Sequence, residues 1–342
     1  MSQSAPPPNP SAQILQLATG YIASTAIYVA ARLGIADLLK DGPRPASWLA
    51  TATHSHPDRL YRVLRALAGF GVFTESTPGT FALTPAAETL RSDVPGSVRD
   101  MAVWMADPFH FRIYAEMMHT VQTGETTFDH IYGKSAFEYF PEDPAESEVF
   151  NAAMTSLSTV MIPAVLEAYD FSGIGTLMDV AGGHGAFLRA ILNKYPSMRG
   201  VLIDMDHVIE GARQLPENQA LAHRCDFQSA DFFAAVPTGA DAIIMKHIIH
   251  DWDDDKAVRI LQNCLKALSR KQGAKVLVVD MVVPPGDEPH FSKILDLEMM
   301  ALPSGRERSQ KEFEKLFTGA GLRLNRIVPT KSPVSVVEGV VV

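Results

Sequence analysis

The sequence predicts a two-domain α/β protein. The expected C-terminal domain has a Rossmann-like, doubly wound parallel sheet, and the expected N-terminal domain is all-α, of the winged-helix type. The first observation is that short apolar strands alternate with helices from about residue 172 onward, beginning with a glycine-rich turn. The second is that helical segments followed by a short hairpin precede them. At 342 residues the chain is long enough for two domains.

Composition shifts along the chain predict four regions. Residues 1–11 are rich in Pro and Ser and lack the basic and apolar stretches of a signal peptide, so we expect a disordered tail. Residues 12–102 are predicted to be a winged-helix-like dimerisation domain, 103–171 a helical region that lines a substrate cavity, and 172–342 the Rossmann-like domain.

The first predicted helix, 12–31, is apolar over most of its circumference, which predicts burial in a large core or between subunits. A winged helix also raises the possibility of a DNA-binding regulator. Arg59, Arg62 and Arg65 lie along one face of the candidate reading helix, but acidic residues surround them. We therefore interpret these arginines as a solvated helix face, and we expect the domain to pack against a second copy of the chain.

The helical region 103–171 is rich in methionine and aromatic residues. Most of these side chains should form a core. Methionine also adapts to flat ligands, so a few residues here and in a later helical segment are expected to line the substrate cavity. The predicted substrate residues are Trp104, Met154, Met161, Met299 and Leu302.

The most informative stretch is Leu177–Gly185, LMDVAGGHG, an apolar strand followed by a tight glycine turn and a helix. Such a turn needs residues that tolerate positive φ and leave the backbone open to a ligand. It is not a phosphate loop of the form GxxxxGK[ST], and Leu188 replaces the third glycine of a dinucleotide fingerprint. The spacing acid-x-small-x-Gly-x-Gly resembles motif I of the S-adenosylmethionine (SAM)-dependent methyltransferases, with Asp179 as the acid.

Three further units follow with polar residues at the carboxyl ends of their strands. Asp204 ends the second strand, where it can accept hydrogen bonds from a ribose diol. After the third strand, Asp231 and Phe232 are suited to the amino group and the face of an adenine. The fourth strand ends at Lys246. Because the strands are parallel, these residues are predicted to line one crevice.

Composition limits the partners. The net charge of −9 disfavours nucleic acid, and two cysteines allow neither a disulfide framework nor a cysteine metal cluster. We expect no metal site and no membrane-spanning segment, since no uncharged apolar stretch of about 20 residues is apparent. The predicted location is the cytoplasm.

The chain resembles the plant-type small-molecule O-methyltransferases, the family of the caffeate, flavonoid and acetylserotonin enzymes, and their bacterial relatives that modify aromatic natural products. The resemblance covers nearly the whole chain after the tail. Besides the glycine turn, it is carried by the following blocks: AFEYF (136–140), VFNAAM (149–154), VLIDMDHV, SADFF, IIMKHIIHDWDDD, VLVVDMVVP and GRERSQKEFEKLFTGAGL.

This resemblance implies SAM as the cofactor, S-adenosylhomocysteine as its product, and a homodimer formed through the N-terminal domain. It implies cofactor contacts across the crevice, and Ala181 departs from the family, which usually has glycine there. The predicted cofactor residues are Asp179, Gly182, Gly183, Asp204, Asp231, Phe232 and Lys246.

The expected chemistry explains why a histidine should be central. SAM carries an activated methyl group, so the protein must align an acceptor and remove its proton. A phenol with a pKa near 10 is mostly protonated at neutral pH, and imidazole is the natural base. His250 occupies the family's base position, and Glu307 and Asp280 match the positions of the acids that orient it. Glu307 is the stronger expectation because Asp280 is one methylene shorter than the usual Glu.

The predicted activity is thus SAM-dependent methyl transfer to a hydroxyl of an aromatic or polyketide-like small molecule. The alternatives are N-methylation, or a relative that keeps SAM but performs hydroxylation, decarboxylation or pericyclic catalysis. Metal-dependent catechol methylation is not indicated. The acidic run at Asp251 and Asp253–Asp255 is interpreted as a solvated helix start, favoured by the helix dipole, and Asp251 itself is expected to be structural or to support the residues that touch the substrate.

Overall fold

The computed structural model describes residues 9–269 and 273–342. Of the predicted disordered tail, residues 1–8 lie outside the described part of the chain. Its last two residues, 10 and 11, are helical instead. The Asn9 side chain accepts a hydrogen bond from the Ser11 amide, and Pro10 occupies the first turn, where its missing N–H costs nothing.

The elements follow in chain order and are labelled once here. Those before the main sheet are α1 Pro10–Ala18, α2 Gly20–Arg32, α3 Ile35–Leu38, β1 Arg44–Pro45, α4 Ala46–Ala52, α5 Pro57–Gly69, β2 Phe73–Thr77, β3 Thr80–Leu83, α6 Pro85–Glu88, α7 Arg99–Met105, α8 Pro108–Ala115, α9 Met117–Thr123, α10 Thr127–Tyr132, α11 Ala136–Tyr139 and α12 Pro144–Ala168. A 3-10 turn spans Phe140–Glu142.

The remaining elements alternate strands and helices. They are β4 Thr176–Val180, α13 Ala186–Lys194, β5 Arg199–Asp204, α14 Asp206–Gln214, α15 Pro216–Gln219, β6 Cys225–Ser229, β7 Ala242–Lys246, α16 Asp254–Ala267, β8 Lys275–Val283, α17 Ser292–Ala301, β9 Arg308–Ser309, α18 Gln310–Ala320, β10 Leu322–Pro329 and β11 Val334–Val341. A 3-10 turn at Ile249–Asp251 joins β7 to α16.

By their contacts, the described residues form two compact units. The first comprises the described chain up to Ala115 together with Phe140–Thr159, and the second comprises Glu116–Tyr139 and Val160–Val342. The predicted middle region, 103–171, is divided between the two units, and helix α12 contributes to both.

The first unit contains the predicted hairpin, β2–β3, to which the two-residue strand β1 adds antiparallel. Its core includes Leu60, Leu64 and Leu67 of α5, so Arg59, Arg62 and Arg65 lie on the exposed face of that helix, as predicted. The prediction of a single helix over 12–31 is wrong in one respect. This stretch is broken into two helices at Thr19 and bent by 43°, because Thr and Gly are poor helix formers and Thr19 leaves the helical conformation.

The second unit is built on a sheet with strand order β10-β11-β8-β7-β4-β5-β6. The five strands from β8 to β6 are parallel, and β11 and β10 add antiparallel. The central strands are covered on both faces, so they are continuous apolar runs rather than alternating ones. The predicted cofactor residues therefore lie at or just after the carboxyl ends of four neighbouring strands, β4 to β7, on one side of the sheet.

Helix α12 is long and apolar enough, by length and composition, to cross a membrane. It has no charged residue from 149 to 166, so the expectation that the chain lacks such a stretch is wrong. Helices α1 and α2 pass the same test only when they are counted as one bent span. Core helices also pass it, and α12 buries Ala153, Met161 and Val165. Length and composition alone therefore do not assign α12 to a membrane.

Candidate active site

The glycine turn after β4 has a left-handed backbone at three positions. Ala181 has a φ of 56°, Gly183 of 58° and Gly185 of 79°. Gly183 has no neighbouring atom within 4 Å of where a side chain would begin, so its surface is open to a ligand. Ala181, the departure from the family pattern, thus takes a conformation that residues with a Cβ rarely adopt.

Gly182 is required for a different reason from the one expected, because its φ is not positive. A Cβ at this position would lie 2.5 Å from Leu202 Cδ1 and 2.6 Å from the Asp179 carboxyl. The turn is therefore packed directly onto the second strand and onto the buried acid of the first. Glycine at 182 allows this close approach.

Asp204 is held in one orientation by two backbone amides. One oxygen accepts from the Gly183 amide at 2.8 Å and the other from the Met205 amide at 2.7 Å. A carboxylate has about four lone-pair positions, so both oxygens keep capacity to accept from a diol. The chain's own backbone thus links the glycine turn to the predicted ribose acceptor.

The other predicted cofactor residues differ in environment. Asp231 is exposed and caps its own turn by accepting from the Phe233 amide at 2.8 Å, while Phe232 is half-buried. Asp179 is buried, and burial raises its pKa to about 7. Burial lowers the pKa of Lys246, against the opposing influence of Asp179 and Asp280. The carboxyl ends of these strands thus combine an exposed acid, Asp231, with a buried acid, Asp179, and a lysine, Lys246.

His250 is buried in the 3-10 turn after β7, and its Nδ1 lies 2.7 Å from Glu307 Oε1. Glu307 is itself 2% exposed, so this pair is shielded from water. A neutral imidazole that donates Nδ1–H to a carboxylate has its lone pair on Nε2. The predicted pairing of His250 with Glu307 is present, and it selects Nε2 as the atom that can accept a proton.

Carboxylates surround this imidazole. Asp251 Oδ1 lies 3.4 Å from His250 Nε2, so Asp251 is not part of a solvated helix start but lies beside the imidazole. Burial lowers the pKa of His250, but Asp251, Asp280 and Glu307 outweigh burial and raise the pKa to about 10. Burial also raises the pKa of Asp251 to about 7. His250 and the neighbouring carboxyl groups thus titrate as a group.

Asp280 is fully buried on β8 but holds a different histidine. Its Oδ1 accepts from the His247 amide at 3.0 Å and lies 4.0 Å from His247 Nδ1. His247 has a left-handed φ of 55°, and Met161 Sδ lies 3.0 Å from its Nε2. Asp280 therefore fixes the backbone just before the Ile249–Asp251 turn and acts on His250 through its charge.

Buried polar atoms without a hydrogen-bond partner concentrate around this turn in the described part of the chain. They include His247 Nδ1, Asp280 Oδ2 and Glu307 Oε2. Ligand atoms of His247, His250 and Asp280 lie within 4.8 Å of one another, as do those of the more exposed His119, Glu125 and His130. The absence of a metal therefore stays a prediction.

The predicted substrate residues are distributed over both units. Trp104 is buried in an aromatic cluster of the first unit with Phe109 and Phe140, and Met154 belongs to the same unit. In the second unit Met161 contacts His247, whereas Met299 and Leu302 are buried at the end of α17. Met161 thus lies beside the neighbouring rings of His247 and His250.

A cavity of about 1020 Å³ lies in the first unit, and its lining includes none of the predicted substrate residues. Its lining includes Arg99, Asn151 and Ser156. Ser156 donates a hydrogen bond to the Ser97 carbonyl at 2.5 Å, which joins two of its walls. No motif in the sequence indicated this cavity.

Comparison with known families covers most of the chain. Residues 114–323 match the O-methyltransferase domain, and residues 15–93 match the O-methyltransferase dimerisation domain.

Curated relatives match over nearly their whole length. A phenazine O-methyltransferase of Lysobacter antibioticus is 42% identical over 96% of this chain and 95% of its own. A mitomycin biosynthesis 6-O-methyltransferase of Streptomyces lavendulae is 40% identical over 92% and 89%. An 8-amino-8-demethylriboflavin N,N-dimethyltransferase of Streptomyces davaonensis is 33% identical over 91% and 90%.

Solved structures also match this chain over nearly its whole length. LaPhzM superposes with a TM-score of 0.89 at 41% identity, over 98% of this chain and all of that one. CalO1, a methyltransferase in calicheamicin biosynthesis solved with S-adenosylhomocysteine, gives 0.87 at 37% identity over 97% and 98%. NcsB1, solved with S-adenosylhomocysteine and 1,4-dihydroxy-2-naphthoic acid, gives 0.77 at 32% identity over 93% and 96%.

Family matches, full-length relatives and superposed structures thus agree with the predicted cofactor. The chain belongs to the SAM-dependent O-methyltransferase family, with a Rossmann-like catalytic domain preceded by a dimerisation domain.

Proposed function

We propose that the protein methylates a hydroxyl of a bulky aromatic small molecule, with His250 as the general base. The observation that carries this proposal is the buried His250–Glu307 pair at 2.7 Å. Glu307 fixes the ring and its tautomer, so Nε2 is the atom that takes the acceptor's proton. Asp251, 3.4 Å from Nε2, then stabilises the imidazolium that forms.

The surrounding acids give the imidazole a basicity suited to a phenol. Proton transfer from a phenol with a pKa near 10 to an ordinary imidazole is uphill by roughly 5 kcal/mol, since the two pKa values differ by about 3.5. With the pKa of His250 raised to about 10, the transfer is close to neutral in free energy. The cost is that the neutral base prevails only at alkaline pH, so turnover should increase as the pH rises.

The residues at the carboxyl edge fit the expected cofactor. When bound, SAM supplies a methyl group already activated on a sulfonium. We propose that Asp204, held by the Gly183 and Met205 amides, accepts the ribose hydroxyls. Asp231 and Phe232 would hold the adenine, and Asp179, Gly182 and Lys246 would complete the crevice.

The acceptor class is inferred from chemistry and relatives together. One relative is named as a phenazine O-methyltransferase and another as a 6-O-methyltransferase of mitomycin biosynthesis, and NcsB1 was solved with a dihydroxynaphthoic acid. A base whose pKa is close to that of a phenol favours a hydroxyl acceptor. The riboflavin-derivative N,N-dimethyltransferase among the relatives keeps an aromatic amine as the second candidate.

Matched acceptor pairs test the proposal. Naphthols, hydroxyphenazines and hydroquinones are offered with SAM beside the corresponding aromatic amines, and S-adenosylhomocysteine release is measured with the methylated product. We expect release with at least one hydroxyl compound and none with its amine partner. Methylation of the amine alone would favour N-methylation, and SAM binding without transfer to any acceptor would favour one of the altered chemistries.

We propose a homodimer formed through the dimerisation domain, burying more than about 2,000 Å². Helix α1 has no buried residue in the single chain, and Ile14, Leu15 and Leu17 are each about two-thirds exposed. Light scattering at micromolar concentration should give a dimer, and Leu17→Glu should dissociate it. Met118→Glu, at a comparably exposed site in the second unit, is the control. A monomeric wild type would contradict the proposal.

We further propose a cytoplasmic location and no nucleic-acid partner. Both cysteines, Cys225 and Cys264, are free and buried, which suits a reducing compartment. The net charge of −9 opposes binding to phosphate backbones.

A further inference from the structure

Arg308 is a fully buried cation directly after the predicted orienting acid Glu307. Its exposure is 1%, and it is the largest of the fully buried side chains. Burying a guanidinium is costly unless its donors are paired, so a fully buried arginine implies a strong local requirement.

The guanidinium donates to the chain on both sides of the base. Nη1 donates to the Ile249 carbonyl at 2.9 Å, and Nη2 donates to the Trp252 carbonyl at 2.8 Å. Nε and Nη2 also donate to Asp254 Oδ1, at 3.1 and 2.9 Å, at the start of α16. These acceptors lie one residue before His250 and two and four residues after it. A single planar group therefore spans the whole catalytic turn.

The segment that carries Arg308 and the turn that carries His250 also meet through their backbones. The Arg306 amide donates to the His250 carbonyl at 2.8 Å, and a Cβ on Gly305 would lie 1.9 Å from that oxygen. Farther along the chain, Ser309 and Glu312 form a capping box that anchors the segment to α18. The segment that carries Glu307 is thus attached to the turn that carries His250 at several points, and Arg308 supplies the side-chain contacts.

We propose that Arg308 is a positioning residue: its guanidinium holds the Ile249–Asp251 turn so that His250 Nδ1 stays on Glu307 Oε1. This rests on the proposed role of His250 as the base. Arginine is suited to this work because its donors are fixed in one plane, whereas a lysine ammonium is a single flexible point charge. Arg308 is therefore needed for its shape as well as its charge.

The test compares Arg308→Lys and Arg308→Ala with Arg199→Ala as the control. The Arg199 side chain is more than half exposed and pairs with the exposed Asp226, at the amino end of β5. We expect both Arg308 variants to lose kcat by about 100-fold, as for a base displaced by about 1 Å. The dissociation constant for SAM should stay within about twofold of wild type, because Asp204 and Gly183 belong to other segments, and Arg199→Ala should keep its kcat.

Two readouts separate positioning from general structural damage. Millimolar guanidinium chloride, well below denaturing concentrations, should restore part of the kcat of Arg308→Ala. In Arg308→Lys, which keeps the charge, the acid limb of the pH–rate profile should move to lower pH, because the contact between His250 and Glu307 is loosened.

Either of two results would overturn the proposal. One is a wild-type kcat in folded Arg308→Lys. The other is a loss of kcat that follows a loss of SAM affinity and melting temperature, without guanidinium rescue. If Arg308→Ala does not fold, the kcat and pH profile of Arg308→Lys decide. Failure of the proposed function is distinguishable, since His250→Ala would then keep wild-type turnover whatever Arg308 does.

Discussion

The cofactor turn and the catalytic turn lie at the same edge of one sheet but are built in different ways. The cofactor turn is local, because nine consecutive residues supply its glycines and Asp204 follows about 20 residues later. The catalytic turn is assembled from distant stretches, since β7 leads into His250, β8 supplies Asp280, and the chain before α18 supplies Glu307 and Arg308. The comparison indicates that cofactor binding and proton removal can be disturbed separately.

The largest expected effect comes from removing the base. His250→Ala should lower turnover by a factor of about 10²–10⁴, because the acceptor's proton then has no positioned acceptor. SAM affinity, measured by calorimetry, should stay near the wild-type value. Near wild-type turnover of a hydroxyl acceptor would contradict the assignment, and a parallel loss of SAM affinity would show that the two turns are not separable.

The reverse experiment disturbs the cofactor turn. Asp204→Ala removes a charge-assisted acceptor and should weaken SAM binding by about 1.5–3 kcal/mol. Turnover at saturating SAM should remain close to wild type. Asp226→Ala is the control, because it removes an exposed acid of β6 whose salt bridge is to the exposed Arg199. Unchanged affinity in Asp204→Ala would remove Asp204 from the site.

The smallest effect concerns Ala181. Its φ of 56° is costly for a residue with a Cβ, so Ala181→Gly should stabilise the fold by about 0.5–1 kcal/mol after the entropy cost of glycine. Ala190→Gly, inside helix α13, should destabilise by about 1 kcal/mol instead. Urea unfolding of both variants measures the difference, and destabilisation by both would indicate that Ala181 makes contacts worth more than its backbone strain.

The sequence predicted the fold and the cofactor turn because both depend on local patterns. Alternating apolar strands and helices, and the glycines after β4, are visible without any knowledge of distant contacts. The break at Thr19 was missed because a continuous apolar pattern hides a weak point in helix propensity. The apolar pattern of the first helix predicted burial either in a large core or between subunits. In the single chain α1 has no buried residue, so of these two alternatives only burial between subunits is left for α1.

The catalytic turn was predicted less completely, because its contacts join residues far apart in sequence. Glu307 was expected on the strength of the family resemblance, and it does reach His250. Asp280 lies within 4.8 Å of a His250 ring nitrogen, but the hydrogen bond it accepts comes from the His247 amide, and His247 has a left-handed backbone. Nothing in the spacing showed that Asp251 approaches Nε2, or that Arg308 spans the turn.

The most direct test of the His250–Glu307 pair is the pH dependence of single-turnover methyl transfer in wild type and Glu307→Gln. Protonated His250 cannot accept a proton, so the wild-type rate should rise with pH along an acid limb above the ordinary imidazole pKa of about 6.5. Replacing the carboxylate by an amide removes one cause of the raised pKa. The limb should therefore move about 1–3 pH units lower, with a reduced maximal rate. Superimposable acid limbs in the two proteins would contradict the account.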